Sequence, residues 1–177
     1  MFYRAALLGI LLLAAPLLAT EPSKGPRIED YGPTYPINDR DVPLPEGFTY
    51  KAVFDLAAYP GEVTAVNVRL ESVARFLNMH GRNGVPAENM DLAIVVHGAA
   101  VKNLLNNDAY EARYKVENPN LELLTLLRAA AVSIYVCGQS TSFSGVDKNE
   151  LADGVQVALS AMTMLTVLQS DGYALLP

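Results

Sequence analysis

Two short segments of the chain share one form, an aliphatic residue, then a reactive side chain, then glycine: Val96-His97-Gly98 and Val136-Cys137-Gly138. Each closes an apolar run, so each reactive group is expected at the end of a strand. A following glycine there lets the backbone turn sharply and approach a ligand closely. Cys137 is the only cysteine, and Gly138-Gln139-Ser140-Thr141-Ser142 behind it is rich in donors. If that segment starts a helix, its free amides and positive end lower the thiol pKa and suit a thiolate. His97, Gly98, Gly138, Gln139 and Ser140 are then the candidate binding residues around a candidate catalytic Cys137. Two readings of the cysteine stay open. A free cysteine is among the most buried residue types and can be an inert core thiol; an exported unpaired thiol risks oxidation and is either protected or used. His97 likewise reads as a site residue or as a structural histidine bonded to a backbone carbonyl.

Other chemistries are closed to this sequence. One cysteine makes neither an internal disulfide nor a closed multi-cysteine zinc site. With only His80 and His97 beside it, no metal-ligand spacing is present, and neither a metal nor another cofactor is expected. No Gly-x-Gly-x-x-Gly follows a strand and no Walker sequence occurs. The Gly138–Ser142 segment is like a hydrolase elbow, but Ser142 replaces the second glycine and no histidine lies after His97. Asp147, Glu150 and Asp153 read as a solvated turn and helix face rather than an acid/base pair. With 19 acidic against 13 basic residues and a net charge of -6, the chain lacks the clustered positive charge of a nucleic-acid partner.

The elements that must position these residues follow from periodicity. Phe48 to Leu56 alternates strictly, as in a strand with one buried face. Val63, Val66, Leu70, Val73 and Leu77 recur at helical spacing, which predicts a helix from about Glu62 to His80, ended by Gly81 and Gly84. Leu92–Val96 is a short continuous apolar run, expected as a central parallel strand. Ala99 to Val116 is polar and predicts one or two short helices with turns at Asn103, Asn106, Asn107 and Asp108. Asn118-Pro119 is a cap and first turn for a helix through Leu121, Leu124, Leu127 and Ala131. Val132–Val136 and Val155–Leu159 predict two further buried strands; a helix through Met162, Leu165 and Leu168 and a short strand at Tyr173–Leu176 close the chain. Alternating strands and helices imply an α/β, three-layer fold with a mainly parallel sheet and helices on both faces. In such sheets ligands bind outside the carboxyl ends of the strands, where both reactive turns fall.

The amino-terminal part has a different character. Arg4 precedes a nearly unbroken apolar run from Ala5 to Leu18, followed by Ala19-Thr20-Glu21. This is the pattern of a secretory signal peptide over residues 1–20, cut near Ala19 or Thr20, and it places the body in the periplasm or outside the cell, with no membrane contact after cleavage. Leu17 or Leu18 would occupy the third position before the cut, so an uncleaved anchor is the alternative. Residues 21–47 hold six prolines (Pro22, Pro26, Pro33, Pro36, Pro43 and Pro45) and read as an extended arm, docked through Tyr31 and Tyr35 or flexible. Residues 48–177 form one domain.

The body from Phe48 to Leu176 resembles the DsrE/DsrF-like proteins, small α/β domains associated with sulfur oxidation and sulfur relay. The resemblance is carried by Asp91-Leu92-Ala93-Ile94-Val95-Val96-His97-Gly98 with Ala100-Val101-Lys102, by Leu126-Leu127-Arg128-Ala129-Ala130-Ala131 ahead of Val132-Ser133-Ile134-Tyr135-Val136-Cys137, and by Leu168-Gln169-Ser170-Asp171-Gly172-Tyr173. It implies a five-stranded sheet, assembly into homo-trimers or hexamers, and a persulfide carried on one cysteine after the third strand, here Cys137. The implied activity is that of a sulfurtransferase-like carrier receiving sulfane sulfur and passing it to a thiol-bearing partner protein. Relay members work in the cytoplasm with dedicated partners, whereas this chain has an export signal and an added arm. The alternative is a non-catalytic oligomeric binding or scaffold protein with a buried structural cysteine.

Overall fold

The computed structural model describes residues 21–58 and 61–176; the signal peptide expected over residues 1–20 lies outside them. Five strands, β1 (Tyr50–Leu56), β2 (Met90–Val96), β3 (Ser133–Cys137), β4 (Gln156–Ala158) and β5 (Ala174–Leu176), form one sheet in the order β4-β3-β2-β1-β5. Every ladder is parallel. The crossovers contain α1 (Val68–Arg82), α2 (Asn107–Tyr114), α3 (Leu121–Ala129), α4 (Gly138–Ser144) and α5 (Ala161–Ser170). This is the expected three-layer α/β class.

The layers are unequal. Phe54, Leu56, Ile94, Val96, Ile134 and Val136 point to one face and pack with Leu70, Val73 and Leu77 of α1 and Leu123, Leu124 and Leu127 of α3. Alternate residues of the same strands, Val53, Ala93, Val95 and Cys137, point to the other face, where Ala161 and Leu168 of α5 cover them. Central parallel strands are apolar on both faces for this reason.

That geometry revises two strand expectations. β1 lies between β2 and β5, so Ala52, Val53 and Phe54 are all buried and the alternation does not mark one solvated face. β4 is an edge strand, and its Gln156 and Val157 are exposed rather than buried. Two helix starts also move. α1 begins at Val68 because Asn67 caps it, its side chain accepting the Arg69 N–H at 2.8 Å. α3 begins at Leu121, and Asn118 is buried instead, donating to the carbonyls of Asn103 and Leu105 at 3.0 and 2.6 Å. Asn118 Oδ1 accepts from Asn120 N–H, and Asn120 Oδ1 accepts from Asn67 N–H at 2.8 Å. These buried amides tie the start of α1 and the start of α3 to the 3₁₀ segment Gly98–Leu104 that follows His97.

The proline-rich arm is docked on α1, where Glu71, Arg75 and Arg82 bond its backbone and Asn78 makes the buried contact. Asn78 is fully buried; its Oδ1 accepts the N–H groups of Arg27 and Ile28 at 3.0 and 2.8 Å, and its Nδ2 donates to the carbonyls of Ile28, Tyr31 and Gly32. Tyr31 adds a 2.6 Å hydrogen bond to Glu122, and with burial of the phenol this pushes its pKa up to about 12. Asn78→Ala leaves several backbone groups without partners, so it is expected to cost on the order of 2–3 kcal/mol in chemical denaturation. Hydrogen exchange is expected to show the loss of protection concentrated at residues 27–32, with the sheet still protected.

Candidate functional site

The sheet brings the two reactive turns together. Val96 of β2 pairs with Val136 of β3, which makes His97 and Cys137 the next neighbours on the ladder. Gly98 and Gly138 then have separate tasks. Gly98 turns the chain at φ +55°, and a Cβ there would lie 3.0 Å from the Ala57 carbonyl oxygen. At Gly138 a Cβ would lie 2.8 Å from the Ala158 carbonyl oxygen, so glycine lets α4 start directly against the end of β4.

Cys137 is 5% exposed. Burial of the thiol opposes its ionisation, but the polar groups of Ser140, Ala161 and Gln139 beside it favour the thiolate, and the net effect holds the thiol below its ordinary value. The backbone amides among these groups come from the first turns of two helices, α4 and α5, whose free N–H groups and positive ends favour an anion. Ser140 also joins the two turns, its Oγ accepting the Gly98 N–H at 3.0 Å. Gln139 serves the sulfur through its amide; its side chain reaches the Leu159 carbonyl at 3.4 Å and ties α4 to the loop before α5.

His97 continues the β1–β2 ladder, its N–H donating to the Leu56 carbonyl at 2.9 Å. Its Nε2 meets Asp55 Oδ1 at 2.8 Å, with the two side chains 29% and 31% exposed. Sequence reasoning did not single out Asp55, although a carboxylate between Phe54 and Leu56 at the end of an apolar strand was a visible signal. Asp147, Glu150 and Asp153 stand apart from this site. Glu150 is bound by both terminal guanidinium nitrogens of Arg113, at 2.8 and 3.0 Å, and accepts the Asp147 N–H; the Arg113 hydrogen bond holds its carboxyl below the usual carboxylate range.

A cleft of about 420 Å³ lies between the turn after His97 and α4, lined by Gly98, Ala99, Gln139, Ser140, Phe143 and Ser144, the residues that follow the two reactive side chains; Cys137 and His97 themselves do not line it. It adjoins a second recess that shares Gly98, Ala99 and Ser144 and extends to Lys102, Arg113 and Tyr114. A larger cavity, about 510 Å³, lies at the other end of the sheet, between the arm and the starts of β2 and β3. Among the described residues no group of three or more His, Cys, Asp or Glu side chains is placed to hold a metal ion.

The DsrE/DsrF-like family model matches residues 51–177. None of the curated proteins matches by sequence. Among solved structures, the chain is similar to MTH1491 of Methanobacterium thermoautotrophicum, described as a protein of unknown function, with 19% identity, a TM-score of 0.54, and coverage of 72% of this chain and 97% of that one. It is similar to the ychN protein of E. coli at 20% identity and a TM-score of 0.52, with the same coverage of 72% and 97%. At these identities the likeness concerns the fold.

The polar groups beside the sulfur set a pH dependence. The folded thiol ionises at lower pH than its ordinary value of 9.0, so the stability this ionisation contributes grows as pH rises through the folded value and is complete above the unfolded one. Thiolate absorbance in the ultraviolet is expected to titrate below the range of a free cysteine in the native protein, and Ser140→Ala is expected to move the midpoint upward.

Proposed function

The chain belongs to the DsrE/DsrF-like family, whose matched region includes Cys137 and all of the sheet but Tyr50, and from that premise we propose that it is an exported carrier of sulfane sulfur. The observation that carries this reading is the placement of Cys137 at the carboxyl end of β3, where α4 starts directly behind it and the polar groups of Ser140, Ala161 and Gln139 favour its thiolate. A thiolate attacks a sulfane sulfur, the S–S bond of the donor breaks as the Sγ–S bond forms, and the resulting persulfide yields its outer sulfur to an acceptor thiol. Oriented donors that favour a thiolate also favour the persulfide anion that replaces it. The cleft along Gly98, Gln139 and Ser140 is the route for donor and acceptor.

A second reading has one observation in its favour, the 5% exposure of Cys137: an oligomeric binding or scaffold protein whose cysteine only fills the core. A thiol buried for packing alone has its pKa raised. Here the balance goes the other way, and this supports the carrier.

Export rests on the pattern of residues 1–20, and the periplasm or the extracellular space is the proposed location. Among the described residues no helix is long and apolar enough to cross a membrane. Association of several copies is proposed for the α5 face, where Met162, Val167 and Leu175 are 78%, 54% and 45% exposed beside a layer only one helix thick. A trimer or hexamer is the state expected by light scattering, and a monomer of the mature mass overturns that part.

Intact-mass measurement tests the carrier. After incubation with thiosulfate or polysulfide, the wild type is expected to gain about 32 Da, one sulfur atom, and Cys137→Ser to gain nothing. A wild type that takes up sulfur from neither donor overturns the proposal.

A further inference from the structure

The polar groups beside Cys137 explain how a thiolate is favoured, but they leave the Asp55–His97 pair without a task. Three neighbouring strands end in a row of polar side chains on one face. Val53, Ala93 and Val95 are buried beneath α5. Continuing the same alternation, Asp55 follows Val53 on β1, His97 follows Val95 at the end of β2, and Cys137 ends β3. Adjacent strands lie about 5 Å apart, so His97 stands between the carboxylate and the thiol. Its backbone is fixed by the Leu56 carbonyl on one side, and the next residue, Gly98, is fixed by Ser140, three residues after Cys137.

The pair has the form of an oriented proton donor. Asp55 Oδ1 at 2.8 Å from Nε2 accepts that N–H and fixes the orientation of the ring. Nδ1 is then the nitrogen that exchanges protons with a reactant. The two side chains are about 30% exposed, so both are open to solvent at the same end of the sheet as Cys137. Thiolate formation at Cys137 is already served by the polar groups of Ser140, Ala161 and Gln139, which leaves the departing half of the donor as the group in need of a proton.

Building on the carrier reading, we infer that His97, positioned by Asp55, protonates the leaving group when Cys137 takes sulfur, and that the donors are organic persulfides. The Cys137 thiolate attacks the outer sulfur of R–S–SH. The new Sγ–S bond forms as the donor S–S bond breaks, the electron pair departs on R–S, and the His97 imidazolium supplies the proton that releases R–SH. The products are Cys137–S–SH, R–SH and neutral His97. Sulfur moves as sulfane sulfur, and no outside oxidant or reductant enters. A thiolate is a basic leaving group and gains from a general acid; sulfite, the leaving group of thiosulfate, is far less basic and gains little.

The test loads the full mature chain with glutathione persulfide or with thiosulfate and follows persulfidation of Cys137 by mass in a single turnover. The quantity read is the ratio of the two loading rates. In His97→Gln and Asp55→Asn that ratio is expected to fall on the order of 100-fold, the usual worth of a general acid, and Asp55→Glu is expected to recover part of it. With a series of persulfides, the variants are also expected to depend more steeply than the wild type on the basicity of the departing thiol, which a merely structural role would not produce. An unchanged ratio overturns the inference while leaving the carrier standing. A wild type that loads from neither donor overturns both.

Discussion

The register of β2 against β3 is the constraint on which the rest of the site depends. With Val96 opposite Val136, His97 and Cys137 become neighbours, and the Gly98 amide comes within reach of Ser140. A slip of one residue would send every side chain of a strand to the opposite face. Cys137 would then enter the layer beneath α1 and α3, away from the Ala161 amide. The register is held because each strand is apolar on both faces in a matched pattern: Ile94, Val96, Ile134 and Val136 fill one side, and Ala93, Val95 and Cys137 fill the other. Core packing therefore specifies the site before any polar contact does.

The helix that covers the thinner face also supplies chemistry. α5 buries Ala161 and Leu168 against the sheet, and the amide of the same Ala161 favours the Cys137 thiolate. Ser160, the cap of α5, accepts the Thr163 N–H at 3.0 Å, which satisfies another first-turn amide. On the opposite side α4 starts immediately after Cys137, and the absence of a side chain at Gly138 lets that start press against β4. Two helix starts thus converge on one sulfur from different crossovers. Desolvation alone would keep the thiol protonated, and the convergence reverses that balance without exposing the sulfur.

Periodicity made the architecture legible. The aliphatic run Leu92–Val96 is what a strand covered on both sides requires, and the two turns ending in glycine mark the sheet edge where ligands bind in such folds. Cys137 and Ser140 were visible as types and positions, and the Gly98 contact with Ser140 followed once the strands were paired. Asp55 was not found, because local alternation cannot show which strand lies beside β2; its partner, His97, is 42 residues away. Ala161 was equally hidden, since a backbone amide leaves no trace in residue type. β4 was misjudged as buried because Val155, Val157 and Leu159 look like a core strand, and only the sheet order reveals that one flank is open. Asn118 looked like a cap because Pro119 follows it, but tertiary packing drew it into the buried asparagine network instead.

The arm completes a division of labour between the two ends of the sheet. A segment without ladder pairing must still satisfy its backbone N–H and C=O groups when it is buried. Proline removes donors from the count, and Asn78 pairs two of the remaining amides and three carbonyls with a single side chain. Ile28, only 2% exposed, can then join the main core from outside the domain's regular elements. Pro26, Arg27 and Ile28 lie beside Met90, the first residue of β2, and Ala131, just before β3, so the arm covers the amino end of the sheet. The thiol, the imidazole and the carboxylate all lie at the carboxyl end. Docking of the arm therefore adds buried surface to the fold while leaving the reactive edge uncovered.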